Sequence, residues 1–212
     1  MDRPMNLFRI ILIALCTAAG GISVAQAGGD AQAGQQLIAS CAACHGKDGN
    51  SASPANPKLA GQSEKYLLKQ LKDIKSGARD IAIMTGQLDN LTVTDMSNIA
   101  AYFAGQTQTA GTAKPELAEL GREIYRNGNH ERGIAACTGC HGPAGAGNGP
   151  AGYPMIAGQH ADYIAQQLRH FAEGRRMNDG GGRVMRGIAE RMNENEIKAV
   201  ASYCLLYTSP SP

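Results

Sequence analysis

The chain has 212 residues, 43% apolar and 18% charged, which excludes a disordered polymer and allows one or two domains with real cores. A formal charge of +2 gives no broad electrostatic case for nucleic acid or for an anionic membrane surface. Aromatic residues make up only 5%, with no Trp and three Phe, so two small cores would need some other large apolar group at their centres.

At the N-terminus, Arg3 and Arg9 flank the start of an apolar run from Ile10 to Ala19, and Ala25-Gln26-Ala27 has the small-x-small form of a signal-peptidase site. The run is about half the length a bilayer-spanning helix requires. Residues 1–27 therefore read as a cleaved signal peptide, which places a mature chain beginning at Gly28 in the periplasm. A lipid anchor on Cys16 is disfavoured by Leu15 immediately before it. Export also bears on the cysteines, because an oxidising compartment normally turns cysteine pairs into disulfides.

Four cysteines fall in two identical patterns, Cys41-Ala42-Ala43-Cys44-His45 and Cys137-Thr138-Gly139-Cys140-His141. C-x-x-C-H is the attachment signature of c-type haem. Two thiols about one helical turn apart can each add to one porphyrin vinyl group, and the imidazole directly after the second lies under the iron. A zinc ribbon requires its knuckles about 15–20 residues apart, whereas these are more than ninety apart. A thioredoxin-type motif belongs to a βαβ unit, and no strand pattern accompanies either copy.

The motifs are part of an internal repeat. At an offset of 96, Cys41-x-x-Cys44-His45-Gly46 falls on Cys137-x-x-Cys140-His141-Gly142; at 97, Pro57-Lys58-Leu59-Ala60-Gly61-Gln62 falls on Pro154-Met155-Ile156-Ala157-Gly158-Gln159. Tyr66, Leu67, Leu71 and Ile74 then match Tyr163, Ile164, Leu168 and Phe171, the apolar stripe of an amphipathic helix closed by Gly77 and Gly174. At an offset of 101, Met84-Thr85-Gly86 matches Met185-Arg186-Gly187, and the capping boxes Thr92-x-x-Asp95 and Asn193-x-x-Glu196 follow. A polar Gly- and Pro-containing linker separates the copies, and Pro115 opens a helix running to Asn127. Its counterpart is a helix around Ala31 to Ser40. The second copy is longer before its motif, with sixteen residues from Gly121 to Cys137 against seven from Gly34 to Cys41.

Each copy resembles a class I cytochrome c domain: an early helix, C-x-x-C-H, a Pro-containing loop, a middle helix, a Met loop and a last helix with an aromatic residue. The tandem arrangement, with Pro-x-Leu/Ile-Ala-Gly-Gln in both halves and Met-Thr-Gly in the first, resembles the dihaem cytochrome c4 family over about residues 30–203. The resemblance implies an all-α protein of two tandem class I cytochrome c domains, each built around one covalently bound haem. Cys41, Cys44, Cys137 and Cys140 would be the thioether anchors of two haem c groups. The expected divisions are 28–105 for the first domain, 106–114 for the linker and 115–203 for the second domain.

In such domains a Met completes the axial ligation. Met84 and Met185 are the expected sixth ligands opposite His45 and His141, because each stands in a Gly-containing loop and the repeat pairs Met with Met. Met96 aligns with Ile197 and reads as core, while Met155, Met177 and Met192 are the rivals in the second copy. His130, His160 and His170 occupy no Met position and read as structural. The resemblance also implies that the carbonyls of Pro57 and Pro154 accept hydrogen bonds from His45 and His141, orienting the rings.

A neutral imidazole with a thioether favours ferrous iron, and two filled axial positions leave no open site for substrate. The expectation is therefore an electron carrier and not an enzyme. By resemblance it would run from a quinol-oxidising cytochrome bc complex to a haem–copper terminal oxidase, associating peripherally with those membrane complexes. The alternative is the cytochrome subunit of an oxidoreductase such as flavocytochrome c sulfide dehydrogenase; a dihaem peroxidase would need one haem able to lose its sixth ligand. After Tyr203 the repeat ends. Residues 204–212, with an unpaired Cys204 and Ser-Pro-Ser-Pro, read as a non-family tail from a truncated or misassembled gene end.

Overall fold

The computed structural model describes residues 28–109, 111 and 114–204. Residues 1–27, expected to be a signal peptide and including Cys16, and residues 205–212 lie outside the described residues. Among the described residues the regular structure is helical, with two isolated antiparallel bridges, Asn129 with Ile134 and Asn148 with Tyr153. No helix among them is long and apolar enough to cross a membrane.

The first half contains α1 (Ala31–Leu37), α2 (Ala39–His45), α3 (Glu64–Lys75), a short 3-10 turn (Ala82–Met84) and α4 (Val93–Ala104). The second contains α5 (Pro115–Asn127), α6 (Thr138–His141), α7 (Ala161–Ala172), α8 (Val184–Ala189) and α9 (Glu194–Tyr203). Local chemistry sets their ends. Asp30 accepts from the backbone N–H groups of Gln32 and Ala33 to start α1. Thr92 with Asp95 and Asn193 with Glu196 form complete capping boxes at α4 and α9. Gly77 and Gly174 take left-handed φ of 77° and 68° just past α3 and α7, where their N–H groups bond Ile74 and Phe171 carbonyls.

The helix expected around Ala31 to Ser40 breaks at Ile38, whose side chain is buried, and resumes as α2 through the first C-x-x-C-H motif. In the second half the motif helix is only the four residues of α6. The extra residues before it form a turn closed by the Asn129–Ile134 bridge, which drops Ile134 into the core.

In both halves the first helix crosses the last, α1 on α4 and α5 on α9. The crossings depend on glycine. A Cβ on Gly34 would lie 2.0 Å from the Asn98 carbonyl oxygen, and one on Gly121 would lie 2.3 Å from that of Ala199. Around each crossing a small apolar core forms: Ile38, Leu67, Ile99 and Phe103 in one domain, Ile124, Tyr125, Leu168, Ile197 and Val200 in the other.

The two halves face each other about an approximate twofold axis, visible in reciprocal hydrogen bonds. Gln62 donates to the Met155 carbonyl and accepts from the Met155 N–H (2.8 and 2.9 Å). Gln159 does the same to Lys58, at 2.8 and 2.9 Å. Each glutamine of the repeated Ala-Gly-Gln motif thus acts as a strand-like partner for the backbone of the opposite domain. Buried backbone groups that would otherwise be orphaned are satisfied only when the domains dock.

Candidate functional site

The domains enclose one continuous cavity of about 1260 Å³ with a mainly apolar lining. Cys41, Cys44, His45, Pro57 and Met84 line it from the first domain, and Cys137, Cys140, His141, Pro154 and Met185 from the second. Two domains of this size, poor in aromatic side chains, have their missing centre here.

Both histidines close the motif helices and are buried. His45 Nδ1 donates to the Pro57 carbonyl at 2.9 Å, and His141 Nδ1 to the Pro154 carbonyl at 2.8 Å. A carbonyl can only accept, so the proton sits on Nδ1 and Nε2 keeps its lone pair for the cavity. Burial pushes both pKa values below the ordinary histidine value, with the proline bond opposing it, so the rings stay neutral. A neutral, oriented imidazole beside two thiols is the donor set that covalent haem requires.

A second feature fits the same group. Arg79 and Arg176 are 6% and 8% exposed, line the cavity, and have no carboxylate within ion-pair distance among the described residues. Arg79 donates to Gln70, to the Tyr163 hydroxyl and to Gln167, at 2.8 to 3.0 Å. Arg176 donates to the Tyr66 hydroxyl (3.0 Å) and to Gln167 (2.8 Å), and lies 4.5 Å over the Phe171 ring. Buried charges are normally paired; two guanidiniums held by neutral partners at a cavity wall fit a cofactor with an acidic edge, and haem carries two carboxylates.

Position sets Met96 and Met177 apart from the other candidate methionines. Met84 ends the 3-10 turn and Met185 lies in the first turn of α8, each half-buried at the cavity. Met96 is 2% exposed in the core and Met177 is 61% exposed; neither lines the cavity. The rivals Met155 and Met192 line the cavity as well, Met155 at the interface with its Cε 3.2 Å from where a Gly61 Cβ would stand, and Met192 against the second core. Among the histidines, His130 is exposed, while His160 opens α7 and bonds through Nε2 to the Ser51 carbonyl of the first domain at 2.9 Å.

Cys204, grouped with the tail by the sequence, is 2% exposed and belongs to the second core. Its carbonyl accepts from Gly158 N–H at 3.0 Å, the same bond that Phe103 makes to Gly61 in the first domain. The repeat therefore extends one residue beyond Tyr203. The interface residues Gln70, Gln167, Arg79 and Arg176 carried no chemical motif in sequence; the 97-residue register was their only signal.

Residues 31–107 and 118–205 each match the cytochrome c family. Fold, paired motifs and this double match define an all-α dihaem electron-transfer protein, two tandem cytochrome c domains with two covalently bound haem c groups. It is 50% identical over 201 residues to cytochrome c4 of Azotobacter vinelandii, covering 91% of this chain and 96% of that one. Against the crystal structure of reduced recombinant cytochrome c4 from Pseudomonas stutzeri the TM-score is 0.83 at 50% identity, over 84% of this chain and 98% of that one. The chain belongs to the cytochrome c4 family. It is also 40% identical over 167 residues to a "Thiosulfate dehydrogenase electron acceptor" of Stutzerimonas stutzeri, covering 77% of this chain and 76% of that one.

Proposed function

We propose that this cytochrome c4 is a periplasmic carrier that takes single electrons from a quinol-oxidising cytochrome bc complex and delivers them to a haem–copper terminal oxidase. In this reading Cys41, Cys44, Cys137 and Cys140 anchor the two haems. His45 with Met84 and His141 with Met185 would hold the two irons, and Pro57 and Pro154 fix the imidazoles. When bound, the haems supply one-electron exchange between ferric and ferrous iron. The protein holds the histidines neutral, and with the soft thioethers of Met84 and Met185 as further donors it would leave no position open for substrate. Little then has to rearrange as an electron arrives or leaves.

The observation that carries the reading is the matched placement of all ten residues around one cavity, in the same order from each half of the repeat. The test is stopped-flow reduction of the ferric protein by purified bc complex with quinol, followed by oxidation with purified oxidase. The reading predicts that both haems turn over in each half-reaction.

The relation to the thiosulfate dehydrogenase electron acceptor favours a second donor. Reduction by a thiosulfate dehydrogenase with thiosulfate, in the absence of quinol, distinguishes the two. The flavocytochrome-subunit alternative is not favoured, since relatives matched over nearly the whole chain are cytochromes c4.

A further inference from the structure

The approximate twofold symmetry fails in one segment. Four residues separate Arg79 from Met84, but eight separate Arg176 from Met185. The extra length includes Asn178, Asp179 and three consecutive glycines, 180–182. Its first part is bound on both sides.

Asn178 reaches into the first domain. Its Nδ2 donates to Gln70 Oε1 at 2.9 Å and to Asp73 Oδ2 at 2.6 Å, and its carbonyl accepts from Lys69 Nζ at 2.7 Å. Lys69, Gln70 and Asp73 all belong to α3 of the first domain. The next residue turns back. Asp179 Oδ1 accepts from Arg186 Nε at 2.7 Å, and Oδ2 accepts from the Arg186 backbone N–H at 3.0 Å. Both side chains are largely buried, at 4% and 16% exposed, so this pair is little screened by solvent. Arg186 follows Met185 directly, and Asp179 satisfies an N–H in the first turn of α8 that the helix cannot satisfy itself.

The Met84 segment has no such tie. Its turn closes on itself through Met84 N–H to the Ile81 carbonyl and Thr85 N–H to that of Ala82. The loop behind it is held by Lys75 of its own domain, through the Leu88 and Asp89 carbonyls. Among the described residues no side-chain hydrogen bond runs from positions 80–91 to the second domain.

We infer that Asn178 and Asp179 form a strap that couples domain docking to the position of Met185 and not to that of Met84. They are positioning residues. The Met185 side of the second domain's site is completed partly by α3 of the first, whereas the Met84 loop is held within its own domain. Loosening the interface on α3 then releases the distant Met185 while leaving the nearer Met84 in place.

This inference rests on the reading of Met84 and Met185 as axial ligands. Its test uses imidazole as a competing ligand for ferric iron, followed by loss of the weak red sulfur-to-iron absorbance. A Met84→His background leaves only the second domain's red band, and Met185→His leaves only the first's. Into each background go Asp73→Ala, on the first domain, and Asn178→Ala, on the strap. The strap predicts imidazole affinity about tenfold higher at the second site with either variant, the weight of one or two lost hydrogen bonds, and no change at the first. Equal changes at both sites, or none at the second while the red band is intact, would overturn the strap and leave the ligand reading standing. If Met185→His spares its red band, the ligand reading fails and the strap falls with it.

Discussion

Arg79 in the first domain donates to the Tyr163 hydroxyl in the second at 2.9 Å, and Arg176 returns the bond to Tyr66 at 3.0 Å. The four residues are two pairs of the 97-residue repeat, so gene duplication has made an interface that is complementary to itself. Both guanidiniums also share the glutamines Gln70 and Gln167. Arg79→Ala and Arg176→Ala should each cost about 2 kcal/mol in urea unfolding, the usual scale for hydrogen bonds to a charged group. Because the bonds share partners, the double variant should cost less than the sum; strict additivity would show that the two arginines are energetically separate.

Helix crossing gives a sharper stability prediction. Gly34→Ala and Gly121→Ala each drive a methyl into the backbone of the opposing helix and should cost about 3 kcal/mol or more in denaturant melts. Gly181→Ala, where a Cβ meets nothing within 4 Å, should lie within about 0.5 kcal/mol of the parent. Comparable losses at all three positions would mean that the crossings are not tightly packed.

Ligand assignment is tested by the methionines. Met84→His and Met185→His should each abolish the red absorbance of one domain and lower that haem's potential, since imidazole stabilises ferrous iron less than thioether. Met177→His should do neither, because this side chain is exposed and outside the cavity. The reverse pattern between Met177 and Met185 would move the second ligand.

Cys204 makes a prediction about reactivity. Burial raises its pKa well above the ordinary thiol value, so the thiolate that reacts is scarce near neutral pH. Iodoacetamide at pH 8 should leave the native chain unmodified and add one equivalent after unfolding. Deletion of residues 205–212 should leave haem content and both potentials unchanged, whereas Cys204→Asp should destabilise the second domain by placing a charge in its core.

The duplicated pattern made much of this legible. Cys-x-x-Cys-His, the capping boxes at Thr92 and Asn193, and the glycines ending α3 and α7 are local signals, each decided within a few residues. The break at Ile38 was not, because it depends on that side chain reaching a core assembled from α3 and α4. Nor was the role of Gln62 and Gln159. Their motif was visible, but their partners lie 93 and 101 residues away and are backbone groups, which carry no sequence signature. Asn178 is the same case: the four-residue excess could be counted, yet only the docked domains reveal that it crosses to α3.

The measurement that bears most directly on a two-electron carrier with matched axial sites is a spectropotentiometric titration of the intact chain. Absorbance is followed at the haem bands and at the red sulfur-to-iron band together. The account predicts two one-electron steps, two electrons per chain in all, with the red band disappearing across both steps as each iron is reduced. A single electron per chain, or a step that carries no loss of the red band, would contradict it.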